Sequence, residues 1–397
     1  MTVSEAPVKQ VRAYRFRFYP TLEQENLLRR TIGCVRLVYN KALALRTEGW
    51  YQKQERIGYN KTSSLLTQWK KQPDLQFLND VSCVPLQQTL RYLQVAFTNF
   101  WAKRAKYPNF KKKRNGGSAE FTRSAFKWKE GQLCLAKCQE PLNIVWSRDL
   151  PDNCNPSMVN VRLEPSGRWF VSLLVEEPTI QPLSHTDKKV GIEAGITSLI
   201  TTSDGEKIAY PKHFSCLYQK LRQAQKVLSR KTKGSNNYYK AQLQVAKIYA
   251  KIKDARTDFL HKLTTKLVLE NSLIAVEDLS VRNLEEKRQL VRSMSDASWV
   301  EFLQQLEYKC EWYGRKLIKI DRFFPSSERC EKCGKILNKL PLNIQEWSCP
   351  KCGIIHDRDL NASKNILAAG LAVSVCGATI RPEGSKSRKA SAKKVQI

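Results

Sequence analysis

The chain has 397 residues, with 68 Lys and Arg against 37 Asp and Glu, a net charge of +31. That length supports two or three domains with a sizeable core and excludes a mini-protein, and that charge draws polyanions, nucleic acid first. The longest apolar stretch, Ile366 to Ile380, is rich in Ala and Gly and falls short of the ~20 residues a membrane span needs.

No membrane partner is therefore expected. Met1-Thr-Val-Ser-Glu5 has no basic stretch leading into an apolar core, so no signal peptide is expected either. Of twelve cysteines, eight lie outside two CxxC pairs and show no framework spacing. This usage suits a reducing cytoplasm, with the paired cysteines holding metal.

Residues 10 to 19 alternate, with Arg12, Tyr14, Phe16 and Phe18 on one face and Ala13, Arg15 and Arg17 on the other, which predicts a strand with a basic exposed side. Pro20 ends it. Thr21 with Gln24 forms a capping box, and Leu27, Leu28, Ile32, Val35 and Val38 continue at helical spacing. Helix extends to about residue 105, with Leu86, Leu90, Leu93 and Phe97 in register and Pro85 near the start of that element. Lys111, Lys112, Lys113 and Arg114 with Gly116 and Gly117 form a charged turn. The period then changes to two, and Phe121 to Lys127, Gln132 to Ala136, Met158 to Leu163 and Trp169 to Val175 read as strands. Thr179 to Asp187 reads as a linker.

Beyond Lys188, Val190 to Thr201 and Lys207 to Tyr210 read as a hairpin turning at Ser203-Asp204-Gly205. Gln219 to Glu270 follows as a basic helical hairpin broken near Gly234 to Asn237. Leu273 to Val276 is a central strand, Ala297 to Arg315 a helix, Leu317 to Phe324 a strand, and a last helix follows Asp359. The tail from Arg381, with many Lys and Ser and few apolar residues, reads as disordered. There is no internal repeat.

Two kinds of metal chemistry stand close together near the end of the chain. Cys330, Cys333, Cys349 and Cys352 form CxxC, fifteen residues, CxxC, and four thiolates on two tight turns complete a tetrahedron around a structural zinc ion. Gly334 and Gly353, each one residue past a pair, supply the backbone freedom such turns need. Just beyond lie His356, Asp357 and Asp359. Glu193 and Glu277 each close an apolar run that reads as a buried strand. With Asp359 they make a candidate magnesium site for phosphodiester hydrolysis. Asp357 competes for the third position; Asp359 precedes Asn361-Ala362-Ser363, where the helix dipole favours an anion. His356 reads as a local hydrogen-bonding residue. The segment from Trp101 to Arg114 interleaves bases with aromatics, which suits phosphate neutralisation with base stacking.

Taken together, Tyr14-Arg-Phe-Arg-Phe-Tyr-Pro20, Val38-Tyr-Asn-Lys41, Tyr107-Pro-Asn-Phe-Lys111, Val190-Gly-Ile-Glu-Ala-Gly-Ile196, Val276-Glu-Asp-Leu279, Pro325-Ser-Ser-Glu-Arg-Cys330 and Asp357-Arg-Asp-Leu-Asn-Ala362 resemble TnpB. This is the insertion-sequence family related to type V CRISPR effectors, and the resemblance runs from about residue 10 to 375. It implies a multi-domain α/β protein with a wedge-like β domain (1–20 and 115–180), a helical recognition insertion (21–114) and a linker (181–187). An RNase H-like RuvC nuclease domain (188–324 and 357–380), a zinc ribbon (325–356) and a basic tail (381–397) complete it. It further implies a guide RNA, double-stranded target DNA, Zn²⁺ and Mg²⁺ as cofactors, and a cytoplasmic, nucleoid-associated protein. Gln87 and Thr122 match positions that read the motif beside the target, and Lys111, Lys112 and Lys113 join them as nucleic-acid contacts.

One departure from the family stands at Glu193, where the family places Asp. The extra methylene moves the carboxylate by about 1.5 Å, a carbon–carbon bond length, and a misplacement of ~1 Å can cost a hundredfold in rate. Three readings follow: an RNA-guided DNA endonuclease, a guided DNA-binding protein or repressor with weakened or lost cleavage, and a transposase acting in strand transfer.

Overall fold

A computed structural model describes residues 10–151, 154–177, 182–195, 198–209, 211, 213–278, 294–338, 340–341 and 344–376. The expected tail from 381 lies outside them, as do residues 179–181 of the expected linker. Contacts divide the chain into one unit of Met1–Thr179 with Ala224–Ile248 and another of Ile180–Gln223 with Tyr249–Ile397.

In the first unit, β1 (Gln10–Phe18) buries Phe16 and Phe18 as the alternation requires. The capping box forms at Thr21, whose hydroxyl accepts from Gln24 N at 3.3 Å while Thr21 N donates to Gln24 Oε1 at 3.2 Å. It starts α1 (Leu22–Lys53), which ends where Gln54 turns left-handed at φ 52°. Next come α2 (Tyr59–Trp69) and α3 (Cys83–Trp101), the latter burying Leu86, Leu90, Leu93 and Phe97 on one stripe.

The sheet of this unit contains β2 (Gly117–Thr122), β5 (Ile144–Val145), β6 (Met158–Leu163) and β7 (Trp169–Glu177) in the antiparallel order β2-β6-β7-β1-β5. A separate hairpin pairs β3 (Phe126–Lys129) with β4 (Gln132–Leu135). The strand expected from Phe121 to Lys127 is thus two strands. A 3-10 turn at Arg123–Ala125 breaks it, letting Ala125 O accept from Ala136 N at 2.8 Å.

The second unit is built on β8 (Lys189–Glu193), β9 (Ile200–Thr202), β10 (Lys207–Ile208), β11 (Leu273–Glu277) and β12 (Lys316–Ile320), in the order β10-β9-β8-β11-β12. The run from Val190 to Thr201 is therefore an antiparallel pair of strands, with Glu193 opposite Thr201. The strand expected to reach Phe324 stops at Ile320, because Asp321 Oδ1 accepts from Phe323 N at 2.8 Å and closes a turn. Between β10 and β11 run α4 (His213–Ser229) and α5 (Asn236–Glu270), and α6 (Met294–Tyr313) precedes β12. After β12 a small hairpin of β13 (Glu346–Ser348) and β14 (Ile355–Asp357) leads directly into α7 (Arg358–Cys376). Among the described residues no helix is long and apolar enough to cross a membrane.

Candidate active site

Strands β8 and β11 are parallel neighbours with Val276 level with Ile192, so the next residues, Glu277 and Glu193, leave the sheet at the same edge. The strands fix this themselves. Val190, Ile192, Ile274 and Val276 are all buried, and an unpaired carboxylate among them would lose its hydration. Only the strand ends tolerate one.

Helix α7 brings the third acid. It crosses β8 so closely that a Cβ on Gly191 would stand 2.1 Å from Ser363 O and 2.6 Å from Leu367 N, a contact only glycine permits. Gly370 does the same over β11, where an added Cβ would meet Ala275 Cβ at 2.6 Å. This seating puts the start of α7 at the edge that carries the glutamates. Asp359, in its first turn, is 5% exposed, and an added Cβ on Gly195, two residues after Glu193, would lie 3.3 Å from Asp359 Oδ2.

The two aspartates of this helix start diverge. Asp357 caps the helix: its Oδ1 accepts from Leu360 N at 2.9 Å and its Oδ2 accepts from Lys207 Nζ at 2.5 Å. Burial pushes its carboxyl upward, but the Lys207 ammonium and the Leu360 N–H outweigh burial and hold it below the usual range. Asp359 Oδ2 is buried without a hydrogen bond among the described residues. Burial, and after it the charge of Asp357, pushes the Asp359 carboxyl up. A buried oxygen of this kind suits a cation.

Glu277 has a partner that the sequence alone did not single out. Ser326 Oγ donates to Glu277 Oε1. Ser326 O is held by Asn365 Nδ2 at 3.0 Å, and Arg329 O accepts from Asn361 Nδ2 at 2.8 Å and Asn365 Nδ2 at 2.6 Å. Glu331 N in turn donates to Asn361 Oδ1 at 2.9 Å. The spacing of Asn361 and Asn365, one turn apart after Asp359, was the available signal for a helix face that grips a neighbouring segment.

That segment carries the cysteines. The four Sγ atoms of Cys330, Cys333, Cys349 and Cys352 all lie within 4.8 Å of one another, with Cys330 to Cys352 at 3.7 Å and Cys333 to Cys349 at 3.5 Å. A tetrahedron with Zn–S of about 2.3 Å has edges of about 3.8 Å, so the donor set fits zinc. Each CxxC closes a knuckle, with Gly334 N donating to Cys330 O at 2.9 Å and Gly353 N to Cys349 O at 2.8 Å, and both glycines at φ 72°. His356 is buried in this insertion, its ring 4.7 Å from that of Trp347 and its Nε2 3.0 Å from Cys330 Sγ. Burial holds its pKa below the usual imidazole value. It is a local packing and hydrogen-bonding residue.

In the first unit, Gln87 is exposed on α3 and Thr122 stands half-buried where β2 meets the 3-10 turn, its Oγ1 3.4 Å from Ser124 Oγ. Lys112 and Lys113 are exposed. Lys111 is bracketed by Asn40, which accepts from its N–H at 2.8 Å and donates to its carbonyl at 3.0 Å, and its ammonium sits 4.2 Å from the Tyr39 ring centre. Tyr107, expected among the stacking aromatics, packs against Phe97 and Phe100 and hydrogen-bonds Thr47 at 2.8 Å. Trp101 and Phe110 remain exposed.

Comparison with known proteins found matches along most of the chain. Residues 172–288 match the family model OrfB_IS605, described as "Probable transposase", residues 299–366 match a Cas12f1-like TNB domain, and residues 10–55 match a helix-turn-helix domain. The last description does not fit the geometry, since 10–55 form β1 and one long helix. A protein of Streptomyces pristinaespiralis named "Putative RNA-guided DNA endonuclease" is 57% identical, covering 95% of this chain and 94% of its own. One of Escherichia coli K12, named "Putative RNA-guided DNA endonuclease InsQ", is 32% identical over 94% of this chain and 96% of its own. Among solved structures, the Cas12f1–sgRNA–target DNA complex contains a chain of similar fold, with a TM-score of 0.55 at 13% identity, covering 90% of this chain and 98% of that one. The fold is thus a mixed α/β one like that of the RuvC-containing Cas12f effectors, with a TNB segment carrying the four-cysteine cluster.

Proposed function

The chain belongs to the TnpB (OrfB_IS605) family, and on that premise we propose that it is an RNA-guided DNA endonuclease whose cutting site is Glu193, Glu277 and Asp359. The observation that carries the site is the shared edge. Two parallel strands end side by side in glutamates, and Asp359 at the α7 start keeps a buried carboxylate oxygen without a hydrogen bond among the described residues. Magnesium, when bound by these acids, supplies an activated water and stabilises the leaving oxygen of a phosphodiester. Asp357 and Lys207 keep the first turn of α7 in place and leave Asp359 directed at the edge. The four cysteines hold a structural zinc, which leaves no open position for chemistry.

The partners are a guide RNA and double-stranded target DNA, which the relatives' names and the net charge of +31 support. Gln87 and Thr122 read the motif beside the target, and Lys111, Lys112 and Lys113 neutralise phosphates. The first unit is the wedge and recognition part, and the second carries the nuclease and zinc ribbon. Glu193, where the resemblance places Asp, favours a second reading in which the protein is a guided DNA-binding protein or repressor whose cleavage is weakened or lost.

Plasmid cleavage by the protein purified with its RNA separates the two. Glu277→Ala and Asp359→Ala should each reduce cutting at least a hundredfold without weakening target binding, and Glu193→Asp should raise it. Undiminished cutting by Glu193→Ala would remove that residue from the site. Tight target binding with no cutting by the parent or by Glu193→Asp would establish the second reading.

A further inference from the structure

We propose that Ser326 is a positioning residue for Glu277, delivered to the cutting edge by the cysteine-bearing segment. The proposal rests on the reading of Glu277 as a site acid, and it assigns a task to a residue outside both the acid set and the cysteine set.

The geometry is specific. Ser326 is 4% exposed, and its hydroxyl has a single proton, which goes to Glu277 Oε1. That bond ties one oxygen of the carboxylate and so fixes the plane in which the group is presented. Glu277 is the last residue of β11 and only half-buried, so its side chain has rotamers that point away from the edge. The Ser326 hydroxyl selects among them.

Ser326 is itself fixed on both sides. Its carbonyl is gripped by Asn365 at 3.0 Å, and three residues later Arg329 O accepts from Asn361 and Asn365. Arg329 N closes back on Pro325 O at 3.0 Å, and Cys330, fully buried, follows at once. The hydroxyl is therefore carried on a short turn fastened to α7 at one end and to the cysteine cluster at the other. Partners of metal-binding carboxylates that fix their orientation typically change metal affinity ~10–100-fold when removed.

The experiment uses the full chain with its zinc and no nucleic acid, and manganese as the probe, its binding followed by electron paramagnetic resonance. Ser326→Ala should weaken manganese binding about tenfold while zinc content and thermal midpoint stay at the parent's values. Ser326→Thr keeps the hydroxyl and should restore affinity to near the parent's. In cleavage assays, Ser326→Ala should shift the magnesium requirement upward and recover much of its rate at high magnesium, with target binding unchanged. Parental manganese affinity in Ser326→Ala would overturn the proposal, and so would Ser326→Thr being as weak as Ser326→Ala. Loss of zinc along with manganese would assign Ser326 to the fold of the segment and overturn it too. Glu277→Ala, run alongside, separates this from the reading beneath it. If Glu277→Ala binds manganese like the parent, the site assignment falls and the role of Ser326 falls with it. If Glu277→Ala loses manganese and Ser326→Ala does not, only the positioning role falls.

Discussion

Along β1 of the first sheet, arginines alternate with the buried Phe16 and Phe18, while β8 and β11 of the second carry no charge between their ends. The first sheet is antiparallel throughout, and one face of each strand can meet water. In the second, β11 runs parallel to both β8 and β12, and α7 covers the sheet so closely that it touches backbone. Only at β12, one of the two outer strands, does a mid-strand charge appear, in the exposed Lys319. Where charge is allowed everywhere, its position tells little about function. Where it is confined to the ends, an acid at an end is a strong statement, and Glu193 and Glu277 are such acids.

The largest test of this contrast is steric. Gly191→Val would drive a side chain into the backbone of α7; we expect a loss of about 3 kcal/mol or more, read as a fall in the thermal midpoint or as insoluble protein. Gly117→Ala in the first sheet would meet only the side chain of Ile32, and about 1 kcal/mol is expected there. Equal losses would break the comparison.

A smaller effect tests the diffuse charge of the first unit. Replacing Lys112 and Lys113 by Ala should make the logarithm of DNA affinity less steep against the logarithm of salt by about two units, at ~0.9 per phosphate contact. A slope that does not change would exclude both residues from the interface.

The smallest effect is a pH dependence at Asp359. Its folded pKa is raised, so the folded state holds that proton more tightly than the unfolded chain, and ionisation costs stability as pH climbs from the ordinary Asp value through the raised one. In magnesium-free buffer Asp359→Asn should therefore raise the thermal midpoint near pH 7 by a few degrees. The gain should fade as pH falls through the ordinary Asp range. A gain that is the same at every pH would mean that the charge of Asp359 is not what costs stability.

Much of the local structure around the candidate site could be read in the chain because the features concerned are local. The capping box at Thr21, the two apolar runs that end in Glu193 and Glu277, and the CxxC pairs with their glycines each occupy a few consecutive residues. What could not be read depends on contacts made after folding. The strand β5 has two residues and no period to detect. The break at Arg123–Ala125 exists because β4 returns against it. Lys207, Ser326, Asn361 and Asn365 act on groups far away along the sequence, and nothing in their neighbourhoods names those partners. The preference for Asp359 over Asp357 came from its place ahead of Asn361-Ala362-Ser363, but the contacts that set the two apart could not be read. Sequence placed both at a helix start, and the cap bond to Leu360 together with Lys207 separated their environments.

The acid-bearing edge also bears on how such a chain can grow. Between β10 and β11 the chain makes the detour of α4 and α5, and between β12 and α7 it makes the detour of the cysteine knuckles. The first excursion leaves and rejoins one sheet, and the second leaves that sheet at β12 and returns in the helix packed against it. Lengthening such a connection costs little, about 0.6 kcal/mol for each doubling of a flexible loop. Descendants of this architecture can therefore acquire longer helices, extra fingers or whole new modules at these two seams while the three acids keep their places, and size differences among relatives should concentrate there.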